Sequence, residues 1–343
     1  RVFPGALVQW EDFANRNAFE ILDRHRRRIL SFNDDIQGTG AVVVAGIRSA
    51  SRQVGRRFEE ERVMFYGTGA SGGGSALAVR HALGEAGVQK GDLARHVVCL
   101  DSQGVIVANR PGLASPKREL AADPEMVVGW PRANNGTLGL AEAVRAFRPT
   151  VLIGTSGQPG AFREEIIRDL FAACPRPVFL VLSNPTHKAE ACPEDLVRWT
   201  HGAAVIGTGS PFPSVRHEGR SHVIGQGNNA LVFPGIGLGA TAVRARELPD
   251  GAFSAASRAL FEFTQREMGM APGAPIFPPI ARLREVSKEV AIAVGCALVE
   301  LEAAPRASRA EIEKRVTASM WEPEYLPYRA AIEVPAEAVT AAR

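Results

Sequence analysis

At 343 residues with 45% hydrophobic content, the chain can bury a full core and is long enough for two domains. Its net charge of +3 is small, and the only dense basic run, "RHRRR" at 24–28, has no interleaved aromatic residues, so it reads as a solvated helix face and no nucleic-acid partner is expected. Four scattered cysteines without a CxxC pair argue against a zinc site or disulfide framework; with no membrane-length apolar run and no secretory leader, a cytoplasmic protein with mostly buried, reduced thiols and no membrane partner is expected.

The chain opens at Arg1, and "RVFPGALVQWEDF" reads as a strand-like run feeding a helix, the middle of a fold whose N-terminal portion lies elsewhere. Residues 11–30 carry Phe13, Ala18, Ile21, Leu22 and Leu30 at near-helical spacing. A buried helix rich in Ala, Val and Gly is expected over 38–50. The period then changes. "RVMFYG" (62–67), "HVVCLD" (96–101), "TVLIG" (150–154), "PVFLVLS" (177–183) and "AAVIGTG" (203–209) are short apolar runs ending in turn residues, with helical patterns between them at 72–86, 138–147, 161–173 and 193–201. Such alternation predicts an α/β fold with a doubly wound parallel sheet covered on both faces. After about residue 228 the strand signal stops. Helices are expected at 228–246, 252–269, 281–303 and 309–320, interrupted by the Pro-rich loop "APGAPIFPP".

"VMFYGTGASGGGSALAV" places Gly67, Gly69 and Gly72 as GxGxxG between a strand and a helix, the Rossmann-type context for a dinucleotide pyrophosphate. Gly67 serves the tight turn, Gly69 the approach of backbone to phosphate and Gly72 the packing of helix on strand, with Ala70 at the helix start. Asp101 ends the next strand, where an acid that binds the ribose belongs, although it lies 29 residues beyond Gly72. Asp101 favours NAD, whereas Lys117 and Arg118 further along suit the 2′-phosphate of NADP, and the choice stays open at this level.

Two pairs of adjacent carboxylates stand out, Glu11 with Asp12 and Asp34 with Asp35 in "FNDDIQGTG". One helix and a sharp turn between them allow the second pair to fold back towards the first. Three carboxylates suit Mg²⁺ or Mn²⁺ and leave positions for substrate oxygens. Helix capping and dipole complementation explain the same residues equally well.

"VQWEDFANRNAFEIL", "FNDDIQGTGAVVVAGI", "LIGTSGQPGAF", "LSNPTHKAEA", "GTGSPF" and "GQGNNALVFPGIGLG", taken in order from about residue 6 to about 328, resemble the successive motifs of malic enzymes of the large bacterial and eukaryotic type. The resemblance implies oxidative decarboxylation of (S)-malate to pyruvate and CO₂ with reduction of NAD or NADP, dependent on Mg²⁺ or Mn²⁺, in a homodimer or homotetramer. It implies metal ligation by Glu11, Asp12 and Asp35, with Asp34 in a supporting role. Asn184 would contact the nicotinamide ribose and substrate, and Asn228 and Asn229 the substrate carboxylate or cofactor. Residues 1–34 would end an N-terminal domain, 35–228 would form the dinucleotide-binding domain, and 229–343 would return as helices to the first, here incomplete, domain and end in a tail. The family's acid–base Tyr and Lys precede the "EDF" motif. Neither Tyr66 nor Lys188 sits in a matching context, so a fragment without its own proton-transfer pair is expected. The related malolactic reaction and a non-catalytic binding module are the alternatives.

Overall fold

Residue 3, residues 5–325 and residues 327–328 are described by the structure, a computed structural model. The chain begins with β1 (Val8–Trp10), α1 (Asn15–His25) and β2 (Ser31–Asn33), and the two strands pair in parallel with Trp10 opposite Asn33. One wide π-helical turn, Asp34–Gly38, leads into α2 (Thr39–Val54), which Gly55 ends in the left-handed conformation at φ 75°.

The main sheet then forms. Its elements in order are β3 (Val63–Tyr66), α3 (Ala70–Glu85), α4 (Leu93–His96), β4 (Val97–Asp101), β5 (Gly104–Val105), α5 (Ser115–Leu120), α6 (Leu140–Phe147), β6 (Val151–Gly154), α7 (Glu164–Ala173), β7 (Val178–Val181), α8 (Pro193–Trp199) and β8 (Val205–Thr208). A small antiparallel hairpin, β9 (Val215–His217) with β10 (Arg220–His222), precedes β11 (Gly225–Gln226). Four helices follow: α9 (Phe233–Ala242), α10 (Asp250–Met268), α11 (Leu283–Glu300) and α12 (Arg309–Ser319).

The sheet order is β11-β8-β7-β6-β3-β4-β5, parallel except for β5 against β4. The direction of winding reverses between β3 and β6. Both faces are buried, which is why the strands read as unbroken apolar runs. Val63, Phe65, Ile153, Val178 and Leu180 face a core completed by α2, α3 and α9 to α12, while Met64, Val98, Leu152, Phe179 and Val181 face α6 to α8.

Helix α2 buries twelve of its residues, so Gly at its contacts is a packing requirement. A Cβ on Gly40 would lie 2.8 Å from the Ala78 Cβ of α3, and one on Gly46 would lie 2.4 Å from the Phe277 ring. Phe277 belongs to the Pro-rich loop, which thus carries Ile276 and Phe277 into the core. The cysteines are less uniform than expected: Cys99 and Cys174 are buried, Cys296 is half-buried and Cys192 is exposed. The basic run is solvated as expected, with Arg24 on Glu20 and Arg26 on Asp250. No helix among the described residues is long and apolar enough to cross a membrane.

Candidate functional site

The first feature is the turn after β3, at the point where the sheet reverses. Gly67 has φ +106°, and a Cβ there would lie 2.5 Å from the Thr155 backbone. A Cβ on Gly72 would meet the Gly67 carbonyl at 2.2 Å and Thr155 Oγ1 at 2.4 Å. Only glycine fits either position. Thr155, just past β6, donates its hydroxyl to the Gly67 carbonyl at 2.8 Å and so ties the two central strand ends together. Helix α3 is long enough for its N-terminus to attract an anion, and Gly67, Gly69, Ala70 and Gly72 all lie in this one turn. The Ala70 amide, however, donates to Asn15 Oδ1 at 2.8 Å. Asn15 at the start of α1 therefore stands over the helix start, a placement that spacing along the chain gives no hint of.

Asp101 ends β4, which flanks β3 on the side away from β6. Its carboxylate is already occupied: Arg110 binds it with both terminal nitrogens (3.0 and 2.6 Å), Lys117 Nζ donates at 2.6 Å, and the Gln103 amide at 3.0 Å. Burial opposes ionisation here, but these donors win, and the Asp101 carboxyl is held below its ordinary value. Lys117 thus sits at this strand end, while Arg118 turns away to the Leu113 carbonyl.

The two carboxylate pairs come together through the β1–α1–β2 unit. Because the strands are parallel and Trp10 pairs with Asn33, Glu11–Asp12 and Asp34–Asp35 both follow the same end of the pair. The Asp12 amide donates to Asp35 Oδ2 at 3.0 Å. Asp12 adopts φ 56°, a left-handed conformation that Asp tolerates better than most residues. Asn33 and Gln37 together build the second turn, Asn33 Oδ1 accepting from the Ile36 amide (2.9 Å) and Gln37 Oε1 from the Asn33 amide (3.0 Å). This capping explains why "NDDIQ" can present two acids at the start of a buried helix.

Asp34 is fully buried, and burial, Glu11 and Asp35 together push its carboxyl up to about 7. Asp35 is raised as well, chiefly by burial. Asn229 Nδ2 donates to Asp34 Oδ2 at 2.6 Å, whereas Asp34 Oδ1 is buried without a partner. Asp34 Oδ1 lies 2.0 Å from where a Cβ on Gly38 would stand, so a side chain there would displace the Asp34 carboxylate. Among the described residues, no three His, Cys, Asp or Glu side chains stand in ligating geometry. The donor chemistry nevertheless fits a hard divalent cation: the acids are oxygen-only and close enough to repel one another.

On the other half of the sheet, Asn184 follows β7, exposed, and accepts from the Ser210 hydroxyl at 2.5 Å. Asn228 Oδ1 accepts from the Ala230 amide at 2.9 Å and caps a short 3-10 turn. Tyr66 donates its hydroxyl to Gln158 Oε1 at 2.8 Å, and Lys188 is exposed.

The chain is similar to known proteins over most of its length. Residues 36–299 match the family model described as "Malic enzyme, NAD binding domain". The NAD-dependent malic enzyme of Sodalis glossinidius is 40% identical over 329 residues, covering 96% of this chain and 58% of that protein. NAD-dependent malic enzyme 3 of Bacillus subtilis is also 40% identical, covering 96% of this chain and 57% of its own length. The crystal structure of the Entamoeba histolytica malic enzyme superposes with a TM-score of 0.73 at 25% identity, covering 91% of this chain and 58% of that one. The chain therefore spans a little over half the length of the curated relatives it matches.

Proposed function

The chain belongs to the malic enzyme family, and from that premise we propose that it provides the NAD site and the carboxylates of the divalent-cation site for oxidative decarboxylation of malate to pyruvate. The observation that carries this reading is the sharing of helix α3. The Gly67 turn opens it, and one turn later the carboxylate-bearing turn rests on it, with the Ile36 carbonyl 2.6 Å from where a Cβ on Gly74 would be. Cofactor and cation sites are thus built against one helix.

In this reading Gly67, Gly69, Ala70 and Gly72 cradle the pyrophosphate, with Asn15 beside it. Asp101 faces the adenosine ribose, and its pairing with Arg110 and Lys117 leaves a net positive strand end that tolerates a 2′-phosphate as well as a hydroxyl. Glu11, Asp12 and Asp35 hold Mg²⁺ or Mn²⁺. Asp34 braces the turn and, through Asn229, fixes the last helical segment to it. Asn184 reaches the nicotinamide ribose and substrate, and the Nδ2 group of Asn228 extends towards the substrate carboxylate. Bound at these residues, NAD would supply a hydride acceptor for C2 of malate, and the cation would supply Lewis-acid polarisation of the C2 oxygen for loss of the C4 carboxylate. Proton transfer is assigned to groups outside the matched motifs; Tyr66 donates its hydroxyl to Gln158. A cytoplasmic homodimer or homotetramer completes the proposal.

The test is a purified 343-residue chain titrated with NADH and assayed with malate, NAD and Mn²⁺. NADH binding without pyruvate formation is expected, because each missing acid–base group typically removes a factor of about 10²–10⁴. Failure to bind NADH overturns the cofactor assignment. Pyruvate formation would instead assign the acid and base to this chain, with Tyr66 and Lys188 the first to mutate.

A further inference from the structure

Glu190 lies between the "SNPT" loop and α8, where its sequence neighbours suggest a surface acid, yet it is completely buried. Its carboxylate lies flat against the end of β6: a Cβ on Gly154 would be 2.5 Å from its carboxyl carbon. One oxygen, Oε1, collects three donors, the Ser156 amide (2.7 Å), the Ser156 hydroxyl (2.8 Å) and the Ser183 hydroxyl (2.6 Å). The network continues outward. Ser183 Oγ accepts from the Gly157 amide at 2.9 Å and Ser156 Oγ from the Gln158 amide at 3.1 Å. Three successive amides of the loop after β6 are thus tied, directly or through one hydroxyl, to a single buried carboxylate. The same carboxylate holds Ser183, the residue before Asn184. Oε2 is buried without a partner, so the side chain is placed for what Oε1 gathers.

Burying a carboxylate costs several kcal/mol unless its hydrogen bonds compensate, and a packed apolar side chain would serve stability as well. What an apolar side chain would not do is hold the loops after β6 and β7 at a fixed separation. In a doubly wound sheet a dinucleotide lies across the switch point, adenosine over one half and nicotinamide over the other. With Asp101 on the β4 side, the nicotinamide half falls over β6 and β7. We propose that Glu190 is a positioning residue for the nicotinamide half of the cofactor site, setting the loop 155–158 and Asn184 in register with each other while leaving the adenosine half untouched.

This proposal rests on the dinucleotide reading above, and the experiment separates the two. Glu190→Ala and Ser183→Ala are compared with the unaltered chain for binding of NADH, by nicotinamide fluorescence, and of ADP-ribose, by calorimetry. Hydrogen bonds to a charged group predict NADH binding about tenfold weaker in Glu190→Ala and a smaller loss in Ser183→Ala, with ADP-ribose affinity unchanged. A merely structural role would weaken both ligands by one factor, and that result, or no change in either, overturns the proposal. Ser183→Ala leaves the carboxylate its two Ser156 bonds and decides the matter if Glu190→Ala does not fold. If the unaltered chain binds ADP-ribose and NADH equally poorly, the dinucleotide reading falls and this one with it.

Discussion

Replacing Gly74 by Ala tests whether the carboxylate turn is held by its contact with α3. A Cβ there would lie 2.6 Å from the Ile36 carbonyl oxygen and 2.7 Å from both Ile36 Cα and Cγ2. The obstructing atoms are mostly backbone, in a turn fixed by the Asn33 and Gln37 caps, so the helix or the turn must move. Overpacking of this kind costs about 1–3 kcal/mol. Ala within a helix returns about 0.5–1 kcal/mol relative to Gly. Gly84, in the same helix, supplies the control: it is exposed, and a Cβ there meets nothing within 4 Å. The helix-propensity gain is common to both, so Gly74→Ala should be less stable than Gly84→Ala by about the overpacking term, 1–3 kcal/mol. Urea unfolding of the two variants and the parent, compared through midpoints at equal m-value, measures it. Equal stability of the two variants would mean that the turn is not pressed on α3.

Three further outcomes are expected. Asp35→Ala should weaken Mn²⁺ binding by more than about tenfold, the scale of losing even an outer partner, while leaving NADH affinity intact; unchanged Mn²⁺ affinity in calorimetry with NAD and malate present would remove Asp35 from the ligand set. Asp101→Asn should destabilise the chain at pH 7 by about 1–3 kcal/mol, because Arg110 and Lys117 lose a shared anion. Since the folded-state value of Asp101 is depressed, that loss should be complete above its ordinary value of 3.8 and should fade as pH falls through the lower folded value; urea midpoints that differ equally at pH 7 and pH 3 would contradict the pairing. Gly67→Ala should abolish NADH binding, because φ +106° and a 2.5 Å approach to Thr155 leave no room for a methyl group; NADH binding at parental affinity would place the phosphates elsewhere.

The main sheet was readable because strands buried on both faces must be continuous apolar runs, and β3, β4, β6, β7 and β8 all lie inside the stretches so identified. β1 and β2 were not readable as a pair. Each has three residues, too few to show a period, and their parallel pairing depends on α1 as the crossover that connects them. That pairing is what brings the acids together, so the carboxylates were visible in the sequence and their proximity was not. Asn33 and Gln37 illustrate the same limit: both occur in a motif marked by its aspartates, yet their side chains hold its backbone, Asn33 accepting from the Ile36 amide and Gln37 from the Asn33 amide. Glu190 was invisible for a different reason. Set between Ala189 and Ala191 in the loop before α8, it has nothing local to distinguish it from a solvated acid, and a side chain at 154 would occupy the space it fills. The helices after 228 were legible as helices, but not the way the intervening loop would send Ile276 and Phe277 into the core.

The bond from Asn229 to Asp34 joins residues 195 positions apart. On a ribosome adding roughly 5–20 residues per second, Asp34 emerges about 10–40 s before its partner exists. Through that interval the turn has its own caps but not the amide that binds Oδ2 of its buried carboxylate, so the local motif is formed early and completed late. Closing so long a loop adds only about 0.6 kcal/mol for each doubling of its length, which makes the delay a matter of time more than of free energy. A ligand that favours the completed turn therefore acts on the closure of the whole chain, and its binding should slow unfolding of the last helices as much as it orders the two aspartates.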